Sequence, residues 1–487
     1  MVINQKQNMA LLSNKQRFIR NFSLLLSSRV ISAILTLLVN ILLIKKLGTS
    51  IYGEFAFALT LSGYFLSIAD TGLSPFGETQ AAKNKNNING INKIVGDILS
   101  ARLLLSLIST VIIIFIGLLL FKENPHQKNM LIAIAFLPLI YALNFSWVLR
   151  GIEKNHIILT TTLAGGLIYF LGVLLLVKNP AWYLAAVLLF LAGSIITSAF
   201  QFGYIKNLIK KIKINFSYSL VKKTVKDSLP FGIFAWFSIL YISYPIVFLK
   251  IFSDNKNIGL YFITYKLMAF IFVIFNLTGN AFIPVISDAI KTKDSEKESK
   301  ILSELIKFTY TFSIPVCFGG FVISHNLIAE LFGLKIIESA MLLRMMVWAI
   351  IPVGISSALI SYLMAKNAKK SLIKSAAFAS IIGFIFSVFF IKYFGLKGAA
   401  YSLNFIEIIM AGSLIYFMYK IIKIKFDVIN FIKVLSASII MAYAVMLAEQ
   451  RLILSIFIGM AVYAALSLIL KTITKKDIKE LRGLIVK

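Results

Sequence analysis

The stretch SSRVISAILTLLVNILLIKKLG, residues 27–48, is long and apolar enough to cross a bilayer as a helix, yet it holds Arg29 inside the apolar run. About 20 residues at a rise of about 1.5 Å each span the hydrocarbon layer. A cation buried in such a span costs about 3 kcal/mol on insertion scales, so it either snorkels along lipid or serves a polar interior. Working outward, comparable runs recur, among them Leu103 to Leu120 and Ile157 to Val177. The 487 residues are 59% hydrophobic and 14% charged, whereas soluble domains carry about 25% charged residues. The sequence therefore reads as an all-α polytopic membrane protein.

The formal net charge of +30 does not indicate a nucleic-acid binder, because the Lys and Arg residues lie between apolar spans and not on one face of a folded domain. Nucleic acid is accordingly not expected as a partner; membrane lipids are. The single cysteine, Cys317, excludes an internal disulfide and a cysteine metal site. The polar, basic start of the chain precedes an apolar run with no small-residue cleavage site, so it is expected to be retained.

Apolar runs read against their charged flanks give about 14 spans. The segments between alternate spans hold roughly three times as many Lys and Arg as the others, which places both termini in the cytoplasm if the span count is even. The outer connections are short, leaving no loop on which an outer-face polymerase or ligase could build a site.

An internal repeat organises the spans. GEFAFALTLSGYFLSIADTGLSPF from Gly53 lies over GLYFITYKLMAFIFVIFNLTGNAF from Gly259, setting Asp70 on Asn276. LRGIEKNHIIL from Leu149 and LMAKNAKKSLI from Leu363 then occupy the same place in two halves. The expected organisation is a cytoplasmic segment (1–20), a six-helix bundle (21–205), a basic cytoplasmic connection (206–228), a second six-helix bundle (229–420), two additional spans (431–471) and a cytoplasmic tail (472–487). Parallel halves related by an axis along the membrane normal place a substrate path between them and work by rocking.

Six charged side chains fall inside spans: Arg29, Arg102, Lys266, Arg344, Asp70 and Glu407. The four cations are candidates for a water-filled cavity holding an anionic group, since arginine chelates phosphate bidentately; snorkelling is the alternative. Asp70, near an inner helix end, fits solvation or pairing as well as ion coupling. Glu407, near the middle of its helix, fits a proton or sodium site or the partner of a cation. His126, His156 and His325 have no spacing that gathers metal ligands. Trp147, Trp182, Trp236 and Trp348 fit interfacial anchors, although Trp236, Tyr241 and Tyr244 could stack on sugar rings. Pro230, Pro245, Pro284, Pro315 and Pro352 fit kinks. There is no Gly-rich phosphate loop, Walker lysine or catalytic triad spacing, so neither an enzyme nor an ATPase is expected.

The segment Arg20 to Leu73, with the junction LGTSIYG at 47–53, resembles the opening of Wzx-type polysaccharide flippases. WVLRGIEK at 147–154, LPFGIFAWFSILY at 229–241 and NIGLYFITYKL at 257–267 fit the same resemblance. It implies the MATE-like fold of the wider exporter superfamily: two six-helix bundles plus two C-terminal helices around a cationic cavity. It also implies an undecaprenyl-pyrophosphate-linked oligosaccharide, such as an O-antigen unit of lipopolysaccharide, moved across a bacterial inner membrane by alternating access. No cofactor is implied beyond coupling to H+ or Na+; a polysaccharide polymerase and chain-length machinery are the implied protein partners. Drug exporters of organic cations need cavity carboxylates, yet the first span carries Arg29 and the span 229–252 has no acidic residue. A lipid II flippase and a MATE-like cation or drug antiporter stay as alternatives.

Overall fold

The computed structural model describes residues 14–209, 212–292, 294–424, 426–448 and 451–472, with residues 14–22 described by backbone alone. The expected cytoplasmic tail lies almost wholly outside this range, as does most of the expected N-terminal segment. In order, the α-helices are α1 (Asn14–Asp70), α2 (Leu73–Lys83), α3 (Ile88–Leu120), α4 (Pro125–Ile134), α5 (Leu137–Ala142), α6 (Ser146–Gly151), α7 (Asn155–Leu176) and α8 (Tyr183–Ile209). They continue as α9 (Tyr218–Phe252), α10 (Asn255–Lys291), α11 (Ser295–Phe332), α12 (Glu338–Met346), α13 (Ile350–Ala365), α14 (Lys369–Tyr419), α15 (Val428–Ala448) and α16 (Leu452–Ile469). In hydrocarbon every backbone N–H and C=O must be satisfied within its own segment, which is why the apolar runs fold this way.

Among the described residues, twelve helical stretches are long and apolar enough to cross a membrane, making the chain a multi-pass membrane protein. Two of the twelve, Ser23–Asp70 with 48 residues and Lys369–Tyr419 with 51, are far longer than one crossing needs. Each is broken at a glycine: Gly48 (φ 77°, ψ 167°) and Gly395 (φ 54°, ψ −127°), backbone conformations closed to residues with a Cβ. Around Gly395 the chain doubles back, with the Ser387 and Ser402 hydroxyls 2.5 Å apart and the Phe386 and Phe405 rings 4.2 Å apart. Around Gly48, Tyr52 Oη donates to Asn40 Oδ1 at 2.6 Å. Counting each broken stretch twice, the twelve supply fourteen crossings, the number the sequence leads one to expect.

Two turns between helices carry the repeat. Lys154 N donates to Leu149 O at 2.7 Å past Glu153 (φ 59°), and Ala368 N donates to Leu363 O at 2.8 Å past Asn367 (φ 55°). These are the same left-handed helix termination, at the offset at which the two sequence stretches align. Asp70 and Asn276 do not share a geometry: Asp70 ends α1 at a break where Thr71 has φ 43°, while Asn276 lies inside α10.

Elsewhere composition and helix ends part company. The span expected over 129–148 is three pieces, α4 to α6; Pro138, which lacks an N–H, starts α5, and the Asn144 side chain accepts from Ser146 N at 3.2 Å. Much of the connection expected over 206–228 is helical, since α9 begins at Tyr218 and carries Lys222, Lys223 and Lys226. Charges mark where a helix leaves the hydrocarbon, not where it ends.

The chain divides into two compact units, Met1–Ile239 and Leu240–Lys487, the boundary falling within α9. In the first, a buried cluster of Leu73, Ile98, Phe145, Trp147 and Leu149 ties α2, α3 and α6 together. Ser228 and Trp236, from the first part of α9, donate to the carbonyls of Thr71 and Ser67 at 3.1 and 2.8 Å. In the second, Tyr261, Tyr310 and Tyr362 are fully buried, Tyr244 Oη lies 2.8 Å from Ser380 Oγ, and Tyr463 of α16 donates to Thr311 O at 2.6 Å. Small and hydroxyl residues at helix contacts supply close packing where lipid offers no hydrophobic contrast.

Candidate functional site

Of the four candidate cations, Arg102 is the one that is buried and paired. It is 2% exposed in α3 and forms an ion pair with Asp70, hydrogen bonds to Ser74 Oγ, and donates from Nη1 to Asn144 O at 3.0 Å. That carbonyl is free to accept because the chain is non-helical between α5 and α6. The Tyr141 and Trp147 rings lie 5.7 and 5.8 Å from the guanidinium. Asp70 in turn accepts from the Ser74 hydroxyl at 2.7 Å, bracing the break between α1 and α2. A buried cation needs a partner, and Arg102, expected from the sequence to face a chamber, has Asp70 as its partner. The same pair accounts for Asp70 without ion coupling.

Arg29 is exposed in α1, in the field of Arg150 and Glu78. Arg150 Nε donates to Glu78 Oε2 at 2.7 Å, with 28% and 40% of the two side chains exposed. The packing of α6 on α2 fixes this pair. A Cβ at Gly151 would lie 2.6 Å from Ala81 Cβ and 2.8 Å from Glu78 O, so only glycine lets the two helices approach and sets Arg150 beside Glu78. One turn along α1 from Arg29, Ser32 and Thr36 line a cavity of about 170 Å³ with Thr162, Tyr169, Ser194 and Thr197. Hydroxyls dominate its polar lining, and no charged residue lines it.

In the second unit, Lys266 sits in the first third of α10, half-buried, its ammonium 4.5 Å from the Phe262 ring centroid. Among the described residues it forms no ion pair. Arg344 is exposed: its Nε donates to Ser324 Oγ at 2.9 Å and its guanidinium lies 5.9 Å from the Phe321 ring. Phe321 and Trp348, themselves 40% and 41% exposed, pack against each other there. An arginine among exposed aromatics fits an interfacial belt, so its berth differs from that of Lys266.

Glu407, in the second arm of α14, is 6% exposed and forms no ion pair among the described residues. Its charge reaches Tyr241, Tyr261 and Tyr265; the rings of the last two stack at 6.2 Å, and Tyr261 Oη is buried without a hydrogen-bond partner. A carboxylate among phenols can hold a proton or accept a small cation. Tyr241 and Tyr244 are 8% and 9% exposed, within the second unit. No group of three or more His, Cys, Asp or Glu that could hold a metal occurs among the described residues. Sequence reasoning did not single out Glu78, Arg150, Tyr261 or Tyr265; the available signal was the rarity of acids, 20 against 50 bases, which makes each one between spans worth locating.

Comparison with known proteins places this geometry. The family model described as "Polysaccharide biosynthesis protein" matches residues 18–290. The probable low-salt glycan biosynthesis flippase Agl15 of Haloferax volcanii is 23% identical over 466 residues, covering 91% of this chain and 93% of that one. A lipid II flippase MurJ structure, in an inward closed conformation, aligns with a TM-score of 0.76 at 19% identity, covering 92% of this chain and 98% of its own. An inward-facing multidrug resistance MATE family transporter of the MOP superfamily aligns with a TM-score of 0.63 at 13% identity, over 80% and 94% of the two chains. The fold is therefore MATE-like.

Proposed function

The chain belongs to the polysaccharide biosynthesis protein family, and on that premise we propose that it is a flippase for lipid-linked glycan precursors. The substrate is an oligosaccharide joined through pyrophosphate to a polyprenol such as undecaprenol, carried by alternating access across the bacterial inner membrane with both termini cytoplasmic. No covalent chemistry is involved. Lys266 in the second unit and Arg29 in the first are each candidates to attract the substrate's phosphate, while the polyprenyl tail stays in lipid. Arg102 serves the scaffold through Asp70, and Arg344 anchors the outer interface. Glu407 is the coupling group for H+ or Na+.

The observation that carries this reading is Lys266: an ammonium in the first third of α10, half-buried and 4.5 Å from the Phe262 ring centroid, with no ion pair among the described residues. A cation left unpaired at that depth is costly, and a phosphate supplies the compensation that lipid cannot. A carrier of organic cations would instead present a free carboxylate to its ligand, which keeps Glu407 as the pivot of the antiporter alternative. The test uses the native host. Arg29→Ala or Lys266→Ala, at unchanged membrane levels, should sharply reduce surface polysaccharide, and Lys266→Arg should retain a part. Normal surface polysaccharide in both alanine variants would overturn the reading.

A further inference from the structure

Arg150 stands outside the groups assigned so far, and its surroundings are unusual for a membrane-edge arginine. Its Nε donates at 2.7 Å to Glu78, both side chains remain partly exposed, and exposed Arg29 lies in the field of both. Two guanidiniums thus interact electrostatically with one carboxylate, and only one of them, Arg150, is hydrogen-bonded to it. The glycine crossing at Gly151 holds Arg150 and Glu78 on a fixed backbone frame, so only side-chain rotation separates them.

We propose that Glu78 is an internal stand-in for the substrate's phosphate, holding Arg150 in reserve until a diphosphate displaces it and draws Arg150 alongside Arg29. This rests on the flippase reading and adds to it a second anion-gripping residue and a built-in competitor. A carboxylate and a phosphate each offer arginine a pair of acceptor oxygens, but the diphosphate carries more charge and takes both guanidiniums at once. The exchange is even enough to reverse: a partly exposed ion pair is worth little, so Glu78 yields to the incoming headgroup and recaptures Arg150 when it departs.

The experiment titrates the full-length protein in detergent micelles with farnesyl pyrophosphate, using calorimetry, with farnesol as the neutral control. Glu78→Gln should bind about fivefold tighter, the scale of a partly exposed ion pair removed as competitor. Arg150→Ala should bind about tenfold weaker, and Arg150→Lys should lie between. The double variant Glu78→Gln with Arg150→Ala should match Arg150→Ala alone, because Glu78 acts through Arg150. Unchanged or weaker binding by Glu78→Gln, with a lowered melting temperature, would make the pair a structural clamp and overturn the proposal. If wild type and Lys266→Ala differ as expected while the Glu78 and Arg150 variants bind like wild type, this inference alone fails. If wild type binds farnesyl pyrophosphate no better than farnesol, the flippase reading fails with it.

Discussion

The pairing of Arg102 with Asp70 makes a sharp quantitative prediction. Arg102 is 2% exposed and Asp70 19%, so removing either charge strands the other away from water, at about 3–5 kcal/mol in buried pairs. Membrane hydrogen bonds are worth less, about 0.6 kcal/mol each on average, because the unfolded chain also finds partners in the bilayer; about 3 kcal/mol for each single variant is therefore expected. Asp70→Asn keeps one acceptor oxygen, enough for the Ser74 hydroxyl, and Arg102→Met keeps much of the packing against Tyr141 and Trp147, so the main loss in each is the charge. The double variant should lose about 2 kcal/mol less than the sum of the singles, the coupling expected of groups in one network. Unfolding by SDS titration in mixed micelles reads all four proteins. An additive double variant, or an Arg102→Met protein as stable as wild type that no longer binds farnesyl pyrophosphate, would refute the reasoning and return Arg102 to the substrate.

Other perturbations follow from the same geometry. Gly395→Ala should lower stability by about 1–3 kcal/mol, the cost of forcing a Cβ into that backbone region, whereas Gly412→Ala, in open space on the same helix, should be neutral or slightly stabilising; equal melting temperatures for the two would contradict the break. Glu407→Gln should leave stability unchanged or higher, since it neutralises a buried unpaired carboxylate, and should abolish the response of transport to an imposed H+ or Na+ gradient in proteoliposomes. A destabilised Glu407→Gln protein would reveal a partner. Arg344→Gln should retain transport within about twofold, the scale of a lost rim contact with Ser324; loss comparable to that of Lys266→Ala would move Arg344 into the site.

The fold was legible because lipid imposes a coarse rule: apolar length gives crossings, and basic residues mark their ends. Even the two hairpins within α1 and α14 could be counted, since each contains more apolar residues than one crossing needs. The repeat was legible at its turns, where LRGIEK and LMAKNA both demand a residue in the left-handed region at Glu153 and Asn367. The site was less so, because depth in a helix does not reveal which way a side chain points. Arg29 and Arg102 look alike in sequence, yet one is exposed and the other locked to Asp70 across 32 residues of chain. The partner of Arg102 also depends on a helix interruption at Asn144, which apolar composition conceals. Arg150 reads as one more inner-loop charge until Gly151 is seen to bring α6 onto α2.

The claim that a cationic interior carries a phosphate-bearing lipid is tested most directly by reconstitution. Purified protein in liposomes is given a fluorescent polyprenyl-pyrophosphate-linked glycan, and its transfer between leaflets is followed by quenching from outside. Wild type should accelerate transfer, Lys266→Ala should reduce it by about 10- to 100-fold, the loss of a hydrogen bond to a charged group, and Lys266→Arg should restore part of it. Equal transfer by wild type and Lys266→Ala, or transfer of an organic cation in place of the glycan lipid, would contradict the account.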